Sequence, residues 1–165
     1  MKKGIITAIS SIIGIMAGVV IGGIGIGYLK QQKINSKDEK IDKFKGYYNL
    51  LNQWLMIKQN GKSLESYFID KGFKSVAIYG MGEMGVRLYD ELKGTNVSVK
   101  YAIDKNASEI YTEIEALGMD GDLDEINDVD IVVISATFAF NEIEEKLKKK
   151  VNVPIISLEE VVYEV

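Results

Sequence analysis

KSVAIYGMGEMGVRLYDELKGTNVSVKYAID, residues Lys74 to Asp104, decides the fold. Ser75-Val76-Ala77-Ile78-Tyr79 is an apolar run of strand length, rich in β-branched residues. It enters Gly80-x-Gly82-x-x-Gly85, after which Met84, Leu88 and Leu92 recur at helical spacing. A second strand, Val97 to Ile103, ends at Asp104, 19 positions after Gly85. Strand, glycine turn, helix, strand and terminal acid, in this order, are the layout of a βαβ unit that binds a dinucleotide. Each position has a physical reason. Gly80 permits a tight turn, Gly82 has no Cβ to keep a pyrophosphate off the backbone, and Gly85 lets the helix pack close to the strand. The helix start at Glu83, Met84 and Gly85 turns its N–H groups and positive dipole end toward the phosphates. Asp104, with Lys105 beside it, stands where a carboxylate can accept hydrogen bonds from a ribose diol. The competing reading is that the glycines serve only the turn and the helix packing, over an empty crevice.

Downstream the pattern continues as half of a doubly wound α/β fold. Asn106 to Glu115 is ambiguous, with a strand expected near Ile114 to Leu117. Gly118 to Asp128 is an acidic loop. Its Asp120, Asp122, Asp124, Glu125 and Asp128 do not complete the spacing of a calcium loop, so no metal is expected. Asp130 to Ala136 is the clearest buried strand. Its end, Ser135-Ala136-Thr137, is expected at the same crevice as the glycine turn, because ligands sit beyond the carboxyl ends of parallel strands. Phe140 to Lys149 reads as a helix, Pro154 to Ser157 as an edge strand, and Leu158 to Tyr163 as a last helical turn or two.

Upstream, Ile41, Phe44, Tyr48, Leu51 and Leu55 follow a 3-4-3-4 spacing that predicts an amphipathic helix to about Lys58. The stripe covers barely two heptads and is expected to be core, with Trp54, one position off it, anchoring the helix on the domain. Asn60-Gly61 breaks the helix. Ser63 and Gly72 are the expected caps of a second, short helix.

Gly4 to Tyr28 contains no charged residue and is dominated by Ile, Gly, Ala and Val. At ~1.5 Å per residue, such a helix crosses a ~30 Å hydrocarbon core with some tilt. It is also longer than a signal-peptide core and has no small-x-small site followed by a polar mature start, so an uncleaved anchor is expected. Lys2 and Lys3 precede it, whereas Lys30, Lys33, Lys37, Lys40, Lys43 and Lys45 follow it. That bias places the C-terminal domain in the cytoplasm. Gly14, Gly18 and Gly22 share one helix face, where a second membrane helix, from another copy or a membrane-protein partner, could approach closely. The expected organisation is an anchor over 1–30, a helical linker over 31–72 and a parallel-sheet domain over 73–165.

The net charge is −4 and no basic cluster lies outside the membrane flank, which argues against nucleic acid as a partner. The chain has no histidine and no cysteine. Its two Tyr-x-x-x-Lys matches, Tyr89/Lys93 and Tyr101/Lys105, lie on the helix after the turn and on the strand before the acid, badly placed for a reductase pair. Tyr111, Thr137 and Asn141 are the polar groups expected at the cleft edge. No complete catalytic constellation is visible, and a dehydrogenase of this fold carries a further region for its substrate.

VAIYGMGEMG, VKYAIDKN, DVDIVVISA and VPIISLEEV resemble the small Rossmann-like NAD(P)-binding modules of bacterial surface-polysaccharide biosynthesis proteins. The resemblance covers a little over half the chain. It implies that Gly80, Gly82, Gly85 and Asp104 bind NAD, or less readily NADP or a nucleotide-sugar. It also implies an accessory or partial enzyme of cell-envelope polysaccharide synthesis. The same layout resembles the non-enzymatic nucleotide-sensing domains that regulate ion transporters, which makes a regulatory subunit the alternative.

Overall fold

The computed structural model describes residues 37, 39–109, 113–121, 123, 126 and 128–165. The expected span at Gly4–Tyr28, Gly14, Gly18, Gly22, Tyr111 and the loop acids Asp122, Asp124 and Glu125 lie outside the described residues. Among the described residues no helix is long and apolar enough to cross a membrane. The chain divides into two compact units, Met1–Lys45 and Gly46–Val165. In the first, the described residues 37 and 39–45 are helical.

The second unit is built on a five-stranded parallel sheet in the order β3-β2-β1-β4-β5. The strands are β1 (Ser75–Tyr79), β2 (Ser98–Asp104), β3 (Glu115–Gly118), β4 (Ile131–Ile134) and β5 (Ile155–Ser157). All four pairings are parallel. The helices are α1 (residues 46–59), α2 (Glu65–Asp70), α3 (Glu83–Leu92), α4 (Phe140–Leu147) and α5 (Leu158–Glu164). The architecture is α/β and consistent with a Rossmann-like domain.

Why these strands form is visible in their burial. β4 is buried at all four positions, as expected of a strand covered on both faces. Its side chains alternate. Ile131 and Val133 join Val76 and Ile78 of β1 in one apolar cluster, with residues of α1, α2, α3 and α5. Val132 and Ile134 join Ala77 and Ile103 in the opposite cluster, with Ile143 and Leu147 of α4 and Leu123, Ile126 and Val129 of the loop. Helices therefore cover both faces, and the order reverses between β1 and β4, where a doubly wound sheet opens a crevice.

The helix before the sheet departs from expectation. The stripe expected to be core is exposed: Tyr48 is 69 % exposed, Leu51 41 % and Leu55 55 %. In the first unit Ile41 and Phe44 are exposed as well. The buried side of α1 is instead Leu50, Trp54 and Ile57, with Tyr47 packed beside them. Trp54 does anchor the helix. The physical reason is that 47-50-54-57 is a second apolar stripe, displaced ~100° around the helix from the first, and it is this one that meets the sheet. The caps of α2 are Leu64 and Lys71, each one position inside the expected Ser63 and Gly72; Ser63 Oγ still accepts the Glu65 N–H at 3.1 Å, and Gly72 takes a positive φ of 80°. Glu91 of α3 fastens the turn between α1 and α2, accepting from Leu64 N–H at 3.2 Å and from Lys58 at 2.9 Å.

At the amino end of the sheet, Asp130 clasps the start of β1. Its Oδ2 accepts from Lys74 N–H at 2.7 Å, Ser75 N–H at 2.8 Å and the Ser75 hydroxyl at 2.9 Å. The Lys74 N–H, then the two Ser75 donors, hold its carboxyl below the usual carboxylate range.

Two outcomes follow. Trp54→Ala is expected to cost ~3–5 kcal/mol, and Leu55→Ala, one position away but exposed, no more than about 1 kcal/mol, in urea unfolding of the purified chain. The lowered Asp130 carboxyl stabilises the fold above its unfolded value of about 4 and loses that contribution as pH falls through its lower folded value. Asp130→Asn is therefore expected to be less stable than wild type at neutral pH. The gap should close in acid, read as urea midpoints measured from neutral pH downward.

Candidate functional site

The glycine turn leaves the carboxyl end of β1, the central strand, and each glycine there meets a different constraint. Gly80 has φ +88°, a conformation that residues with a Cβ rarely adopt. Its N–H donates to Ile103 O at 2.7 Å, and its carbonyl accepts the Ser135 hydroxyl at 2.6 Å. Gly85, on the first turn of α3, packs directly onto that carbonyl: a Cβ there would stand 2.0 Å from Gly80 O. Gly82 is unlike both. It caps α3 with φ −71°, ordinary extended backbone, and an added Cβ would meet nothing within 4 Å. Neither packing nor backbone strain requires glycine at Gly82. What glycine leaves there is open space over the start of a ten-residue helix that has no side-chain cap. The first-turn N–H groups of such a helix lack intrahelical acceptors.

Asp104, at the end of β2, faces this turn. Its Oδ2 accepts the Met81 N–H at 3.0 Å and its Oδ1 the Asn106 N–H at 2.9 Å. The carboxylate thus ties the glycine turn to the loop after β2. Two oxygens offer about four lone-pair sites, and the two backbone bonds leave capacity for a ligand diol. Asp104 also lies near the Tyr79 hydroxyl, which is pushed above its usual value by burial first and by this carboxylate second. Lys105 is exposed beside it.

Across the crevice, Ser135 is buried and bonds Gly80, and Ala136 lies within 3.9 Å of where a Gly80 Cβ would be. Thr137 begins a 3₁₀ turn, Thr137–Ala139, that opens an exposed cleft of about 630 Å³ with α4 and the β5–α5 junction. Thr137, Phe138, Phe140, Asn141, Glu142 and Glu159 are among the residues that line it. Phe138 meets Tyr47 of α1 edge to face, with ring centroids 6.0 Å apart. Burial raises the Tyr47 hydroxyl above its usual range, and the Glu83 carboxylate adds to the shift.

The structure therefore brings together Gly80, Gly82, Glu83, Met84, Gly85, Asp104, Lys105, Ser135, Ala136 and Thr137 around the carboxyl ends of β1, β2 and β4. Their roles differ. Met84 is buried in the core under α3 and carries structure; only its backbone N–H belongs to the site. Asn141 lines the cleft beside α4, whose lining residues include none from the glycine turn. Tyr47 and Phe138 were not expected there. An aromatic two positions beyond the buried strand was the only trace of Phe138, and nothing near Tyr47 marked it. Of the Tyr-x-x-x-Lys pairs, Tyr89 and Lys93 are both bound to Glu113. Among the described residues no group of three or more acids is arranged to hold a metal ion.

The glycines predict opposite outcomes. Gly85→Ala is expected to cost ~3 kcal/mol or more, because its Cβ collides with backbone that cannot swing aside. Gly82→Ala should stay within about 1 kcal/mol of wild type. Thermal melting of the two variants checks this.

Comparison with known families found no matching family model, and comparison with curated proteins and with solved structures found no match.

Proposed function

We propose that this chain binds a dinucleotide, NAD before NADP or a nucleotide-sugar, in the crevice between the glycine turn and the end of β4. The observation that carries the reading is Gly82: glycine stands where the fold leaves a side chain ample room. Space over a helix start with unpaired N–H groups suits a pyrophosphate, which gains hydrogen bonds and the favourable end of the dipole. Asp104 supports NAD over NADP, because a carboxylate accepts from a ribose diol and repels a 2′-phosphate. Lys105 softens that preference. Glu142 and Glu159 at the cleft, with the rings of Phe138 and Phe140, suit the uncharged or cationic end of such a ligand better than its phosphates.

In this reading the charge-free run Gly4–Tyr28 anchors the chain in the cell membrane and the lysines after it hold the domain in the cytoplasm. The chain serves as an accessory or partial enzyme of cell-envelope polysaccharide synthesis, the role its phrases resemble. A second reading, a nucleotide-sensing regulatory subunit of a membrane complex, rests on the same glycine-turn-then-acid layout, which the sensing domains that regulate ion transporters share.

Calorimetry on the full chain in mild detergent tests the ligand. NAD and NADH are expected to bind more tightly than their phosphorylated forms. Asp104→Ala should weaken NAD binding by ~1.5–3 kcal/mol, one charged hydrogen-bonded pair. Gly82→Val should abolish binding while circular dichroism stays that of wild type, since its φ carries no left-handed strain. No heat with either NAD or a nucleotide-sugar at millimolar concentration would leave the turn a purely structural device. A preference for NADP would overturn the role given to Asp104.

A further inference from the structure

Helix α1 carries two apolar stripes, and its own domain uses one. Leu50, Trp54 and Ile57 are buried in the core. The other stripe, Tyr48, Leu51 and Leu55, stays in solvent, with Met56 48 % exposed beside it. In sequence the same 3-4-3-4 spacing begins at Ile41 and Phe44, which within the first unit are 60 % and 70 % exposed. A surface helix ordinarily has one apolar stripe and a polar remainder. A second stripe repeating every 3.5 residues is the a/d pattern of a knobs-into-holes seam.

We propose that this stripe is the seam through which two copies of the chain pair in parallel, α1 against the α1 of the second copy. The choice of a second copy rests on three observations. The first is periodicity: a seam of this period needs a partner of the same period, and a parallel copy supplies it in register, Leu51 to Leu51 and Leu55 to Leu55. The second is charge. The positions flanking the seam within α1 are Tyr47, Asn52, Trp54 and Gln59, none of them charged, and the groove that Leu51 and Leu55 share with α3 holds Lys58 and Arg87 against Asp90 and Glu91, so two copies meet there without net repulsion. Lys58, at the next seam position, is already paired with Glu91 at 2.9 Å. The third is the chain outside the described residues. Residues 1–36 precede the helix, and as the membrane anchor proposed above they would hold all copies in one direction and at one height. The Gly14, Gly18 and Gly22 repeat then allows the same two-fold pairing in the bilayer. This third argument rests on the anchor; the other two do not.

So few seam layers hold two helices weakly in free solution. Confinement to one membrane supplies the effective concentration that pairing needs. The exposed stripe is thus a contact that forms where the chain is tethered.

The absence of cysteine makes the test direct. Single cysteines are placed on the seam (Tyr48→Cys, Leu51→Cys, Leu55→Cys) and off it (Asn49→Cys, Gln53→Cys) in the full chain, expressed in membranes and oxidised with copper phenanthroline. All but Gln53 are exposed positions. The seam variants are expected to give a disulfide-linked species of twice the chain mass, several times faster than the off-seam variants. Adding Leu51→Glu and Leu55→Glu to Tyr48→Cys should remove it. No adduct at the seam, equal adducts at all five positions, or seam adducts only with a different protein would each overturn the proposal. Seam-specific dimers recovered from the soluble fraction would support the seam and overturn the anchor. Nucleotide binding is read separately by calorimetry, so its failure leaves this result standing.

Discussion

Everything at the crevice depends on how closely α3 approaches the end of β1. The backbone of Gly85 rests on the carbonyl of Gly80 with no space for even a methyl group, and Ser135 reaches from β4 to bond that same carbonyl. One peptide oxygen is thus the meeting point of the central strand, the following helix and the next strand of the sheet. Its geometry fixes where the helix start points, and so what lies beyond Gly82. A shift of α3 outward by the thickness of a methyl group would loosen Met84, Leu88 and Leu92, which bury the same helix against the sheet. Packing at protein density does not absorb such a shift gradually.

Two carboxylates hold β1 in place from opposite ends. Asp130 takes three donors at its start, and Asp104 secures the turn after its end. They lie on the strands flanking β1 or beside them, so the central strand is braced laterally by both neighbours. Because the Asp104 carboxylate is already oriented by backbone donors, a ligand that uses it need not first immobilise it. Preorganisation of this kind lowers the entropic cost of binding. The clasp at the far end is remote from the crevice and serves the sheet alone.

Much of this was legible in the sequence. Buried parallel strands read as unbroken apolar runs, which located β1 and β4, and the glycine turn located α3 and the crevice between them. Strand ends were less legible: β4 spans Ile131–Ile134, shorter than the expected run to Ala136, because the chain turns at Ser135 to reach Gly80. The face of α1 was misread. Helical spacing reports that a stripe exists, and with two stripes one residue apart only the fit of Trp54 and Leu50 against the sheet decides which is buried. Tyr47 and Phe138 carry no sequence mark for a related reason. Their meeting joins segments some ninety positions apart, and no local pattern records it.

The strand order has a consequence for how the molecule is made. β1 sits between β2, which follows it directly, and β4, whose start bonds β1 across 55 positions of chain. At ~5–20 residues per second on the ribosome, one edge of the central strand waits several seconds for its partner. During that interval Val76, Ala77 and Ile78, all fully buried once the sheet closes, belong to an unpaired apolar edge. Such edges recruit other strands. The vulnerable period of this protein is therefore its synthesis rather than its folded lifetime. Any mutation that delays β4 from docking should show first as lost yield in the cell.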